Sequence, residues 1–412
     1  MPTFDWDAVI VGAGAAGLLA AIHAAERGRR VLLLEKGKKP GVKILMSGGT
    51  RCNITHDCDA RGIVAAFGPN GKFLHSALAA LGPRETVALF EAEGVATKIE
   101  DTGKVFPVSD RAVDVLEALL RRLARSNATL TLNEPAREIL PHPDGGFRVV
   151  TTARTIMTEK VLITTGGRSY PGCGTTGDGY GFARAFGHTI VAQRPALVPL
   201  TVQVPWIAEL RGITIPAANL KVLDPEGKLL SGRRGAMLFA HFGLTGPAPL
   251  DVSRAVSGFA EPAQLTLEVD LLPENAEPVF DEFVRVESAA NGKQHLASVL
   301  ATKIPRRVAD QLLSVSGLAS DRKAAALSKP DRQKLVAAVK RLRLPLQGTL
   351  GFEKAEVTAG GVCLDEVDSR TMQSKRVTGL YFAGEVLDLD GWIGGYNFQS
   401  AWSTGWLAGR LL

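Results

Sequence analysis

The sequence predicts an α/β protein built on a parallel sheet that both ends of the chain contribute to, and three observations predict it. Residues 5–35 read as strand, helix, strand, and both strands are apolar runs (AVIV, VLLL), as in a sheet covered on both faces. A G-x-G-x-x-G run joins the first strand to the helix. At the other end, GLYFAGEV reads as a further buried strand, followed by a Gly-Gly turn and a closing helix from about Gln399.

In order along the chain, residues 5–11 form the first strand, residues 14–28 a helix ending near Gly28, and residues 31–35 the second strand. Residues 72–94 and 110–126 are amphipathic and predict helices. Residues 128–165 alternate as short strands, turn between Pro141 and Gly146, and end in VLITTGG. From 196 to 271 the pattern is all-β (VPLTVQV, ANLKVLD, MLFAHFG, LTLEVDLL), with Pro- and Gly-rich turns between the strands. From 278 to 343 it is helical and basic, and from 353 it returns to strand and loop. The expected domains are therefore 1–194 (nucleotide-binding, first part), 195–275 (inserted, β-rich), 276–345 (inserted, basic and helical) and 346–412 (nucleotide-binding, second part).

Composition narrows the class. A chain of 412 residues, 45% hydrophobic and 22% charged, folds to a globule with ample core. Aromatics make up 6%, too few for a platform that stacks single-stranded nucleic acid. Four cysteines without C-x-x-C spacing support neither a disulfide framework nor a zinc site, so the cytoplasm is the expected compartment and no metal is expected. The uncharged span from Ala8 to Ala25 has the length of a signal core, but Asp5 and Asp7 stand where positive charge is needed and glycines interrupt it, so no membrane association is expected. The net charge of +6 is unevenly placed: residues 303–343 carry a local +8 and the rest is near −2. Such an asymmetry points to a polyanion or to a solvated helical face. If the partner is RNA, Arg306, Arg307, Lys340 and Arg341 are the candidate contacts.

The glycine run carries the clearest chemistry. Gly12 permits the tight turn, Gly14 lets the backbone approach a pyrophosphate beside Ala15 and Ala16, and Gly17 lets helix and strand pack closely. The helix N-terminus offers unpaired N–H groups to the phosphates. Glu35 ends the second strand, placed to accept hydrogen bonds from an adenosine ribose. Together these are a Rossmann-like dinucleotide site. Lys36 follows Glu35, and Lys43 reads as a phosphate contact or a surface charge. In the middle of the chain, Thr165, Gly166 and Gly167 follow a buried strand and let the chain pass close to a ligand. Asp178 reads as a ligand-hydroxyl acceptor or a helix cap.

Gly384, Glu385, Gly394, Gly395, Tyr396 and Asn397, with the helix after them, resemble the second FAD segment of two-part flavoproteins. There the final helix points its N-terminus at the flavin pyrimidine edge, where reduction places negative charge. Beyond that segment, VIVGAGAAGLLAA, ILMSGGTRCNIT, GGRSYPGCGTTGDGYGFA, HFGLTGPAPLDVS, EVTAGGVCLDEV and TMQSKRVTGLYFAGEVLDLDGWIGGYNFQSAW resemble the BaiN-type family of NAD(P)/FAD-dependent flavoproteins. The resemblance implies a two-part FAD domain with an inserted β-barrel-like domain and a small helical domain. It implies non-covalent FAD, with NAD(P)H as reductant, held by the residues named above together with Ser47, Gly48, Gly49, Arg51, Cys52, Asn53 and Ala136.

The implied activities are reduction of an activated carbon–carbon double bond on a small molecule, reduction of uridine to dihydrouridine in ribosomal RNA, and oxidation of a small amine or aminoketone. The first is the leading expectation. The family reads SGGGRCN where this chain has Thr50, and TGSTGDG where it has Cys173. In the Ser47–Asn53 loop, Arg51 is expected to hold an anionic or carbonyl group, and Cys52 is either the proton donor or a packing thiol. Tyr170 reads as a second donor or a turn hydroxyl, and His241 as a structural histidine.

Overall fold

The structure, a computed structural model, describes residues 4–412, which divide into two compact units: 4–194 with 357–412, and 195–356. The first unit is built on a seven-stranded sheet. Trp6–Val11 lies between Val31–Leu34 and Thr155–Ile163 and is parallel to both, with Val9 opposite Leu32 and Ile10 opposite Leu162. Leu380–Phe382, from the far end of the chain, adds parallel to Thr155–Ile163, with Tyr381 opposite Leu162. These strands are apolar throughout because both faces are covered, and Ala8, Val9, Ile10, Leu32, Leu33, Leu162 and Phe382 have no exposed surface.

One covering layer is a helix pair. The first helix, Ala15–Glu26, is alanine-rich (AAGLLAAIHAAE), so its backbone can lie close to its neighbours. The last helix, Tyr396–Leu411, crosses it at two glycines. A methyl group on Gly405 would overlap the Ala16 carbonyl oxygen, and one on Gly409 the Ala20 carbonyl oxygen. Trp402 fills the interior beside them and donates from Nε1 to the Ile54 carbonyl at 3.0 Å. The last helix starts at Tyr396 rather than near Gln399, because Gly395, at φ +97°, caps it in the left-handed region without a side-chain signal. The amphipathic stretch 72–94 is two helices, His75–Ala80 and Pro83–Ala92, interrupted at Gly82 before a proline that opens the second.

The second unit is a closed six-stranded antiparallel barrel. Its order is Leu200–Val202, Gly243–Thr245, Leu229–Ala240, Thr214–Leu223, Thr266–Asp270 and Leu342–Thr349, which returns to the first. This differs from the expected division. The helical segment 276–345 does not form a domain ahead of a return to the nucleotide fold at 346. Its helices (Glu277–Ala290, Leu296–Leu300, Arg306–Val315, Lys329–Lys340) are inserted between two adjacent barrel strands. The strand LRLPLQGT then closes the barrel, with Leu267 opposite Leu344 and Thr201 opposite Gly348. Its leucines at 342, 344 and 346 point inward and Arg343 outward. Leu296, Leu312 and Val339 of the helices share one core with Leu220, Leu267 and Leu344 of the barrel. The helix Pro247–Ser257 also lies within the stretch expected to be all-β.

Among the described residues no helix is long and apolar enough to cross a membrane, and no three His, Cys, Asp or Glu side chains gather as a metal site.

Candidate cofactor and active site

The adenosine end is built where the first strand enters the first helix. Gly12 has φ +107°, and a methyl on Gly17 would overlap the Gly12 carbonyl oxygen, so only glycine lets helix and strand meet. Gly14 is different: a side-chain atom there would meet nothing within 4 Å. It caps the helix with no side-chain bond to the first-turn N–H groups, leaving an open cradle suited to a pyrophosphate. Glu35 is held on both carboxylate oxygens, Oε2 by the Ala13 N–H at 3.0 Å and Oε1 by the Gly37 N–H at 2.8 Å. Each oxygen keeps a second lone pair for a ribose hydroxyl. The Glu35 carbonyl accepts the Glu134 N–H, which brings the chain leading to Ala136 alongside.

The middle segment folds onto this end. Lys36 Nζ donates to Thr176 Oγ1 and Asp178 Oδ2, each at 2.6 Å. Asp178 therefore pairs with Lys36 instead of capping the following helix, whose cap is Gly177. Lys43 is neither a free surface charge nor an isolated phosphate contact. Its Nζ lies 2.7 Å from both Glu385 Oε2 and Ser169 Oγ. Glu385 Oε1 also accepts from Ser169 Oγ and from the Thr358 N–H, each at 2.9 Å. One carboxylate thus ties together the early, middle and late parts of the chain. Gly167 is needed there because a methyl would overlap Thr358 Oγ1. Thr165 Oγ1 is buried without a hydrogen-bond partner among the described residues.

At the opposite end, the turn Gly394–Gly395 presents the N-terminus of the last helix. Gly395 passes so close to the Thr55 carbonyl that a methyl would overlap it. Gln399, fully buried, locks that approach by accepting from Thr55 Oγ1 at 2.6 Å and donating to the Leu81 carbonyl at 3.1 Å. Asn397 uses its side chain to hold the preceding loop, bonding both the Gly391 N–H and carbonyl. Between Gly48 and Gly395 lies Asn53, whose Oδ1 is buried and has no hydrogen-bond partner among the described residues. A buried acceptor left open costs about 1–3 kcal/mol unless something fills it. The imide N–H of a flavin pyrimidine has the right chemistry, so the residues present fit FAD at both ends.

His56 was not singled out by the sequence. It joins the same turn, with Nδ1 3.0 Å from the Gly394 carbonyl and its ring stacked on Tyr396 at 4.5 Å. No local motif marks it, because its partners lie at the other end of the chain.

The Ser47–Asn53 loop corrects the expectation for Arg51 and favours the packing one of the two readings of Cys52. The helix Val42–Thr50 kinks at Ser47, and Gly48, Gly49, Thr50 and Cys52 all take positive φ. Arg51 does not offer its guanidinium to a ligand carbonyl. Nη1 lies 2.6 Å from Glu100 Oε1, and the group sits 3.9 Å over the Phe106 ring. Cys52 has no exposed surface, and burial pushes its thiol up to about 12. Its setting is that of a packing thiol, since a group without accessible surface has no route to hand a proton to a substrate. Tyr170 takes φ +52° at the start of the turn Pro171–Cys173, and His241 is exposed at a hairpin turn with its ring edge-on to Phe242 at 5.0 Å.

In the second unit, the four candidate RNA contacts separate. Lys340 is 7% exposed, and its Nζ is spent on Asp270 (2.7 Å) and the carbonyls of Leu272 (2.6 Å) and Asn275 (2.5 Å), so it is removed from the set. Arg306 pairs with Asp310, Arg341 with Glu277, and Arg307 bonds the Glu209 carbonyl. These three remain exposed.

The chain matches the HI0933-like protein Rossmann domain family over residues 6–411. It is 37% identical to a ribosomal RNA dihydrouridine synthase of Escherichia coli K12, over 99% of this chain and 98% of that protein. It is 32% identical to a 3-dehydro-bile acid delta(4,6)-reductase of Clostridium scindens, over 97% of each. Among solved structures it resembles a 3-ketosteroid-delta4-(5alpha)-dehydrogenase of Rhodococcus jostii RHA1, with TM-score 0.56 and 15% identity over 100% of this chain and 98% of that one, a likeness of fold. The chain belongs to the HI0933-like family of FAD-dependent flavoproteins.

Proposed function

We propose that this flavoprotein reduces the C5=C6 double bond of a uridine in ribosomal RNA, with NAD(P)H as the source of electrons. The observation that carries the reading is the similarity to the E. coli relative, at 37% identity over 99% of this chain and 98% of that protein. The bile-acid reductase relative acts on different molecules, but the chemistry is shared. In a uridine the C5=C6 bond is conjugated to the C4 carbonyl, so it takes hydride at C6 and a proton at C5. Reduced FAD, when bound, supplies that hydride. The chain's own residues hold and polarise the cofactor. Glu35 takes the ribose, the open N–H groups after Gly14 take the pyrophosphate, and Asn53 Oδ1 takes the pyrimidine N–H. The start of the last helix favours negative charge at the pyrimidine edge.

Deletion of the gene, followed by mass mapping of ribosomal RNA, tests the reading. One uridine two hydrogens heavier in the wild type is expected to return to ordinary uridine, and to be restored by the intact gene. An unchanged map alongside turnover of a small enone by the purified protein would move the substrate to the small-molecule class. RNA binding is expected to weaken steeply with salt, as phosphate contacts do.

Two substitutions test the cofactor residues. Glu35→Ala is expected to weaken FAD retention on dialysis, and full occupancy would remove Glu35 from the ribose role. Asn53→Asp places a carboxylate beside the edge that gains charge on reduction. It should lower the bound cofactor's reduction potential by on the order of 30 mV, read by dye-coupled titration.

A further inference from the structure

We propose that His56 is a positioning residue for the cofactor: by holding the Gly394 carbonyl, it aims the Gly395 N–H at the flavin pyrimidine edge and so favours the reduced form. This rests on the reading that the Gly394–Gly395 turn receives the flavin pyrimidine. The turn alone does not fix its own direction. Gly394 and Gly395 stand at φ +122° and +97°, and glycine enters either hand of φ at little cost, so the peptide between them can turn over without a side-chain clash of its own. That peptide is trans, so the Gly394 carbonyl and the Gly395 N–H point opposite ways. Turned over, it would present the carbonyl where it now presents the N–H. Negative charge gained by the pyrimidine edge on reduction then meets either a donor or the negative end of a dipole.

His56 selects the donor. Its Nδ1 lies 3.0 Å from the Gly394 carbonyl oxygen. A carbonyl only accepts, so Nδ1 carries the proton. The ring is held independently of that bond. His56 belongs to the short strand Thr55–His56, opposite Lys104, and its ring stacks on Tyr396 with centroids 4.5 Å apart and planes at 21°. At Nε2, Gly103 approaches so closely that a methyl on it would stand 2.6 Å away. Tyr396 is 8% exposed and opens the last helix, so the imidazole and the helix start are one packed unit. The Gly395 N–H has no hydrogen-bond partner among the described residues, and Gly395 lies against the buried Asn53 Oδ1, which is open as well. An open donor beside an open acceptor matches a pyrimidine imide, an N–H flanked by carbonyls.

The test measures the reduction potential of FAD bound to the full chain, by dye-coupled titration, in three variants. His56→Phe keeps a ring against Tyr396 and removes the donor. It should retain FAD but hold the reduced form about tenfold less tightly relative to the oxidised form, a fall of about 30 mV for the two-electron couple. His56→Asn places an amide N–H where Nδ1 stood and should recover most of that fall. His56→Gln, whose amide falls at the place of Nε2, should behave like phenylalanine. The thermal midpoint should follow the ring instead, with His56→Phe above His56→Asn. A merely structural histidine would move potential and stability together. Equal potentials in wild type and His56→Phe, or equal falls in phenylalanine and asparagine, would overturn the proposal. If His56→Phe does not fold, asparagine against glutamine decides by the same criterion, and equal potentials overturn it. A wild type that takes up no FAD would overturn the cofactor reading and this proposal with it, whereas a flavin-loaded wild type with indifferent variants overturns this proposal alone.

Discussion

Gly405→Leu is expected to yield a protein that does not retain FAD and unfolds at a much lower temperature. The residue sits where the first and last helices cross, and even a methyl there would overlap the Ala16 carbonyl oxygen. That oxygen belongs to a helix buried against the sheet, with Leu18, Leu19, Ala20 and Ile22 at most 1% exposed, so the first helix has nowhere to retreat. The last helix is equally fixed, by Trp402 on the Ile54 carbonyl and Gln399 on Thr55 and Leu81. Overpacking of this kind, against backbone instead of a movable side chain, costs at least about 3 kcal/mol. For a domain of this size that is on the order of 10 °C in the melting midpoint. The functional loss is expected to exceed the stability loss. In the proposed site the first helix would meet the pyrophosphate and the last the pyrimidine edge, so their separation would set the distance between the two ends of the cofactor cradle. Gly405→Ala, with one methyl, should lie between leucine and wild type, since better helix propensity offsets part of the overlap. A leucine variant that binds FAD normally and melts with the wild type would show that the helices do not meet there.

What was legible in the sequence follows from how local each signal is. The strand–glycine–helix unit at the amino end is written in consecutive residues, and its geometry matches: Gly12 in positive φ, Gly17 against the Gly12 carbonyl, Glu35 at the strand end. The meeting of the two chain ends was legible because each carries its own buried strand, and Leu380–Phe382 does join the sheet. What failed depends on partners distant in sequence. Arg51 looked free because Glu100 and Asp110, which hold it, arrive with a later ribbon. The closing barrel strand was hidden because Arg343 prolongs a basic run, and its two-residue alternation spans only Leu342 to Leu346. Asn53 stood out only as one member of a loop. Its open acceptor becomes visible once Gly395, from the other end of the chain, is beside it.

Lys340→Glu is expected to destabilise the second unit by about 3–5 kcal/mol, whatever its effect on RNA. Counted along the sequence, Lys340 is one more charge in a basic stretch. In the fold its ammonium is the shared partner of the Asp270 carboxylate and two backbone carbonyls. Reversal would set a second carboxylate against Asp270 with no cation between them, at a position 7% exposed whose partner side chain is 21% exposed, so water screens the pair only in part. Those carbonyls belong to Leu272 and Asn275, which lead from a barrel strand into the first inserted helix, so the damage would spread to the whole helical segment. Arg306→Glu is the contrasting case. Its partner Asp310 is one helical turn away, with Arg306 exposed and Asp310 half-exposed, so the lost pair contributes only about 0.3–0.5 kcal/mol. Urea unfolding followed by circular dichroism should separate the two variants clearly, and equal midpoints would refute the buried role of Lys340. A test of the basic surface that included Lys340 would read unfolding as lost RNA affinity. With Arg306, Arg307 and Arg341 alone, a drop in the salt dependence of binding at unchanged stability reports on phosphate contacts.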